Sequence, residues 1–166
     1  MCLPTAPFKI EREWTHAGLL CAATMNTPYG NRCGYVRVPP GHPLHGVDPL
    51  EDTHLSNLIH AHGDVNFGDL EPCAHEDGSG WWFGFDCGHL GDAKRDPDSP
   101  PMFEEPPDSS RIEAVMRSGH YWTLDEVAAE CESLAEQLAA VGAVAQRPST
   151  KNWCACARRT MLCARS

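Results

Sequence analysis

Apolar and polar positions alternate with a period of two in several short stretches of the first ninety residues, and repeat every three to four residues in one long stretch near the C-terminus. A period of two places successive side chains on opposite faces of a strand, and a period near 3.6 places them on one stripe of a helix. Residues 9–14 read as a strand, with Phe8, Ile10 and Arg12 opposite Lys9, Glu11 and Glu13. Residues 19–25 form a second, more apolar strand. Turn residues at 26–31 lead into a third at 33–38, so a β-hairpin is predicted there. Residues 57–62 read as a short strand with His60 and His62 on one face. Residues 80–86, Gly80-Trp81-Trp82-Phe83-Gly84-Phe85-Asp86, form the most aromatic strand, with Trp81, Phe83 and Phe85 on one face and Trp82, Gly84 and Asp86 on the other. A glycine inside such a strand marks a close approach by another group.

The helical stretch opens with Thr123-Leu124-Asp125-Glu126, a capping box in which the Thr hydroxyl and the Glu carboxylate satisfy free backbone donors. Leu124, Val127, Ala128, Cys131, Leu134, Ala135, Leu138 and Val141 then make one apolar stripe, with Glu130, Glu132, Glu136 and Gln137 facing away and Gly142 suited to the C-terminal cap. Such a stripe must pack on something. The prediction is an α+β fold, a mainly antiparallel sheet packed against one long C-terminal amphipathic helix.

Between these elements, residues 39–46 carry three prolines and two glycines and read as an ordered loop. Residues 48–56 suit a helical turn. Residues 63–80 read as loop, with a strand remnant at 65–67, and the Pro- and acid-rich residues 92–110 as a surface excursion without secondary structure.

Length and charge then divide the chain. At 166 residues it suits one ordinary domain, assigned to 1–146, followed by a tail at 147–166. The body holds all 23 acids and 8 Lys/Arg, whereas the tail holds 5 Lys/Arg and no acid, so a net charge of −10 conceals a strongly acidic body. That balance disfavours duplex DNA as a partner, because phosphate neutralisation needs gathered Lys and Arg. Nine cysteines is an odd count. The first residues lack the basic and apolar runs of an export signal, so reduced cysteine and a cytoplasmic location are expected. No apolar run approaches the roughly 20 residues that span a bilayer.

Chemistry concentrates where the aromatic strand ends. Asp86-x-x-His89-x-x-Asp92 spaces two carboxylates and an imidazole through a glycine-rich corner, and such groups ligate zinc, iron or manganese or serve as a general base and its orienting partner. His62, at the end of the predicted strand 57–62, completes a four-member set with Asp86, His89 and Asp92 if the two strands are neighbours. Asp86, His89 and Asp92 are the catalytic candidates, and His42 and Trp82 are binding candidates, His42 as a lid or fifth member from the Pro/Gly loop. The competing reading is that Asp86 and Asp92 bond backbone amides of the corner and His89 caps a strand end. Cys73-Ala74-His75 with Cys87-Gly88-His89, and Cys154-x-Cys156 with Cys163, do not match structural zinc spacings. Phosphate-binding glycine loops, the nucleophile elbow, His-Glu-x-x-His and the zinc deaminase signature are absent, which disfavours those chemistries.

In order, these motifs resemble a family of small uncharacterised proteins of tailed bacteriophages and prophages. The residues that carry the likeness are Cys33-Gly34-Tyr35-Val36, Gly41-His42-Pro43-Leu44-x-Gly46, His62-Gly63, Trp81-Trp82-Phe83-Gly84-Phe85-Asp86-Cys87-x-His89-x-Gly91-Asp92, and the closing helix with Glu130 and Gln137-Leu138. They span about residues 14–140. The chain departs at Asp64, where the family carries a second glycine. The resemblance implies a phage-encoded, non-virion protein acting in the cytoplasm of the infected bacterium, and it brings no established activity. Residue chemistry favours a metal-dependent or acid-base site, with hydrolysis as the reaction class. The alternative is a non-catalytic phage protein that binds and inhibits a host protein or sequesters a small host metabolite, for which an acidic body is suited to basic partners.

Overall fold

The computed structural model describes residues 8–26, 29–52, 54–70, 80–98 and 109–145. Its frame is one antiparallel sheet. The strands are β1 (Phe8–His16), β2 (Leu19–Asn26), β3 (Arg32–Val38), β4 (Phe67–Leu70) and β5 (Trp81–Asp86), in the order β1-β2-β3-β5-β4. Four of the strands begin and end within two residues of the positions that the sequence predicts. β1 joins β2 through Ala17 and Gly18, both with positive φ, the geometry that a two-residue turn between twisted strands requires. β5 sits between β3 and β4, with Val36 opposite Phe83 and Asp69 opposite Trp82.

The long helix, α2 (Leu124–Ala145), covers one face of the sheet. Its start is the predicted capping box: the Thr123 N–H donates to Glu126 Oε2 at 2.8 Å, and the Glu126 N–H donates to Thr123 Oγ1 at 3.3 Å. Val127, Ala128, Cys131, Leu134, Ala135 and Leu138 are buried along it. They pack with Val36, Val38, Phe83, Phe85 and Cys87 from the sheet. The predicted α+β architecture is therefore the observed one. On the opposite face Trp82, 2% exposed, clusters with Ala22, Cys33 and Tyr35. The close approach marked by Gly84 is the Tyr35 ring, which would lie 2.5 Å from a Cβ at that position.

Four expectations need correction. Residues 57–62 are not a strand: a 3-10 turn at Leu55–Asn57 runs into irregular chain, and the strand beside β5 is β4. The reason is a side chain from the helix. Gln137 accepts the His60 N–H at 2.7 Å and donates to the His60 carbonyl at 3.0 Å, which supplies both bonds a neighbouring strand would have made. Gln137 therefore holds a loop instead of facing solvent. Gly142 does not end α2, which continues to Ala145; Gly142 is buried with His42 beside it, and a Cβ there would come within 3.1 Å of the imidazole. Finally, a short helix, α1 (Ser109–Met116), takes up the last two residues of the 92–110 stretch read as lacking secondary structure and runs on through residues where no element was expected. Cys73, His75 and the tail cysteines lie outside the described residues. No helix among the described residues is long and apolar enough to cross a membrane.

Candidate metal centre

The site lies where β5 ends and three loops meet. Asp86 closes the strand: its Oδ1 accepts the Gly88 N–H at 2.8 Å and its Oδ2 accepts Asn66 Nδ2 at 2.7 Å. The chain then turns with Cys87 buried beneath it. Three residues on, Asp92 Oδ2 accepts the His89 N–H at 2.9 Å, and the Asp92 N–H returns to the His89 carbonyl at 3.1 Å. Short polar side chains bonding nearby amides make such a corner without regular secondary structure. Both carboxylates bond corner amides, as one of the two readings of the motif expected.

A second segment clamps this corner. Ala93 donates to the His120 carbonyl at 2.8 Å and His120 to the Gly91 carbonyl at 2.9 Å, a parallel bridge between Asp92 and His120. The clamp brings in Trp122, whose indole Nε1 donates to Asp92 Oδ1 at 3.1 Å. Arg32 of β3 holds Trp122 in turn. Its guanidinium donates to the Trp122 carbonyl at 2.8 Å and to Glu11 at 2.6 Å, and lies 5.2 Å from the Tyr121 ring centre.

His62 arrives from the third loop. The Asp64 N–H bonds the Ala61 carbonyl at 3.0 Å, and Gly63 and Asp64 both have positive φ. Asp64 therefore adopts the left-handed conformation that glycine takes most readily. Gly63 is needed for space as well, since a Cβ there would lie 2.2 Å from His89 Cε1. The turn packs the His62 ring 4.2 Å from Trp122 and 5.5 Å from the His89 ring.

The result is a triad. His62 Nε2 lies 2.8 Å from Asp92 Oδ2, and His89 Nδ1 lies 3.5 Å from the same oxygen. One donor atom each from His62, His89 and Asp92 falls within 4.8 Å of the others, a set that can hold a metal ion. The chain matches no protein-family model, no curated protein and no solved structure. The assignment of the site thus rests on its own chemistry.

Two features of that chemistry fit an ion. The Asp92 side chain is only 6% exposed, and burial disfavours its charge, yet hydrogen bonds from His62, the His89 N–H and Trp122, with the His62 charge, outweigh burial and hold the carboxyl below the usual range. It is an anionic ligand at neutral pH. His89 Nδ1 is buried and makes no hydrogen bond. Unlike an indole N–H, an imidazole nitrogen can offer a lone pair, and a cation would satisfy this one. Trp122 supplies an outer contact of the kind that orients a carboxylate at a metal site.

Asp86 is not one of the three. Its Oδ2 is 3.8 Å from His89 Nε2 and is already bonded to Asn66, so it flanks His89 from the other side. His42 is engaged elsewhere: its Nε2 lies 2.9 Å from the Leu138 carbonyl, and its Nδ1 accepts the Leu44 N–H at 3.2 Å. It ties the Pro/Gly loop to α2. Trp82 is packed in the second core cluster. Trp122, Arg32 and Gln137 position the site, and none carries a periodic or spacing signal that would reveal it; Trp122 merely precedes the capping box.

Proposed function

We propose that this protein is a metal-dependent hydrolytic accessory protein in which His62, His89 and Asp92 hold one divalent ion. The observation that carries the reading is the convergence of the three donor atoms with His89 Nδ1 left without a partner. Two imidazoles and one carboxylate are a ligand set that suits zinc, iron or manganese and leaves coordination positions open. An ion held there would supply Lewis acidity and lower the pKa of water, the chemistry hydrolysis needs. The chain's own residues do the rest: Trp122 fixes one oxygen of Asp92, Gly63 keeps His62 and His89 in reach, and Asp86 stands beside His89 as a proton acceptor. The phage-family motifs support placing this activity in the cytoplasm of an infected bacterium.

Metal analysis of the purified full chain, with zinc, iron and manganese offered in turn, is expected to find one equivalent bound. His62→Ala and His89→Ala should each abolish it, and chelator should lower Tm. No bound metal and a Tm unchanged in chelator would overturn the reading.

A second reading has its own observation. Asp92 already accepts hydrogen bonds from His62, His89 and Trp122, so the corner is closed by protein groups alone. On that reading the polar residues pin a loop, and the protein acts by binding and inhibiting a host protein or sequestering a small host metabolite. His89→Ala would then reduce stability and leave capture of the partner intact.

A further inference from the structure

A cavity of about 320 Å³ opens beside the triad, between residues 88–94 and the end of α1. His89 and Asp92 form its inner wall. Leu90, Val115 and Met116 supply apolar surface, and Lys94 supplies a cation. We infer that this cavity takes a small ligand with an oxyanion at one end and an apolar group at the other, an inference that rests on the metal reading above.

Charge decides the first half. Asp92 is matched by His62 and Trp122, and the Ser118 hydroxyl is spent on the Val115 carbonyl at 2.9 Å. Lys94 is exposed and forms no ion pair or side-chain hydrogen bond among the described residues. In a chain of net charge −10 it is, among the described residues, the one Lys or Arg lining this cavity, and it is unmatched by any of them. An ammonium is a point charge that carboxylate and phosphate oxygens satisfy equally well. His89 and Asp92 line the same cavity, so an ion held by the triad and Lys94 would share one anionic group.

Exposure decides the second half. Leu90 is 107% exposed and Val115 70% exposed, and both line the mouth. Leu90 is not on a loose loop: the turn is bonded between His89 and Asp92, and the chain after it, from Gly91 to Arg95, is bonded to Met116 and His120. A leucine held rigidly in water next to a cavity gains by covering an apolar group. The volume falls at the small end of ligand pockets and suits a compact molecule, not a polymer.

The probes are phenyl phosphate and benzoate, with benzyl alcohol as the neutral counterpart, titrated calorimetrically into the full chain with and without zinc. Both anions should bind, and benzyl alcohol should bind at least about tenfold more weakly. Lys94→Met should weaken both anions about tenfold, and Leu90→Ser about threefold, each with zinc affinity unchanged. Equal binding of benzyl alcohol, or anion affinity unchanged in Lys94→Met, would overturn the inference while zinc binding upheld the metal site. Leu90→Ser without effect would remove the apolar half. Failure of zinc to bind would overturn the metal reading alone, and the Lys94 dependence in metal-free protein would then judge the cavity.

Discussion

The helix-covered face of the sheet and the corner beyond β5 are joined through Cys87, yet they are built by opposite means. The first is a cluster of apolar side chains from four strands and α2, many of them below 2% exposure, in which each residue is supported by several others. The second is a set of single hydrogen bonds: one indole on Asp92, one amide on Asp86, one guanidinium on the Trp122 carbonyl. Packing energy is spread over many contacts and tolerates small shifts, whereas a polar site loses a whole group when one bond goes. Stability should therefore reside in the first region and binding in the second.

The largest expected loss comes from the core. Phe83→Ala removes a fully buried ring and should cost about 3–5 kcal/mol, read as a fall in the denaturant midpoint. A loss below about 1 kcal/mol would break the comparison. Next is Gly63→Ala, which forces a methyl into the His89 ring at a positive φ and should cost about 1–2 kcal/mol. Its larger effect should be on the site, with zinc affinity reduced more than about tenfold in equilibrium dialysis.

Trp122→Phe sharpens the contrast, since it keeps an aromatic ring against His62 and deletes only the N–H on Asp92. It should cost about 1 kcal/mol and lower zinc affinity about tenfold. Thr123→Ala, one residue later in the chain, removes the helix cap, should also cost about 1 kcal/mol, and should leave zinc affinity unchanged. Two neighbouring substitutions of equal stability cost would thus separate in the metal assay. The smallest effect is expected at the thiols. Burial pushes Cys21 and Cys33 up to about 11, and pushes Cys87 and Cys131 up as well, so none of the four should be alkylated in native protein at pH 8 as mapped by mass spectrometry.

Local pattern accounts for what could be read in advance. Alternation or apolar runs over 9–14, 19–25, 33–38 and 80–86 located four strands, because a strand that buries one or both faces must write that burial into consecutive residues. The stripe from Leu124 to Val141 and the Thr123–Glu126 box located α2 for the same reason. The His89 and Asp92 half of the triad was visible too, since both lie within one seven-residue turn. Of what depended on residues far apart in the chain, only the meeting of His62 with His89 and Asp92 was expected, and that on the premise of neighbouring strands. His62 and Asp92 are 30 positions apart, Trp122 and Asp92 another 30, and Gln137 and His60 77. His62 does reach the site, but on a loop clasped by Gln137 and not on a strand next to β5. Asp86, three residues before His89, is left out of the triad because it ends a strand and bonds Asn66. Periodicity records which side of an element is buried; it carries no record of which three loops converge, and that convergence, decided only by the packed fold, is what turns a polar corner into a site.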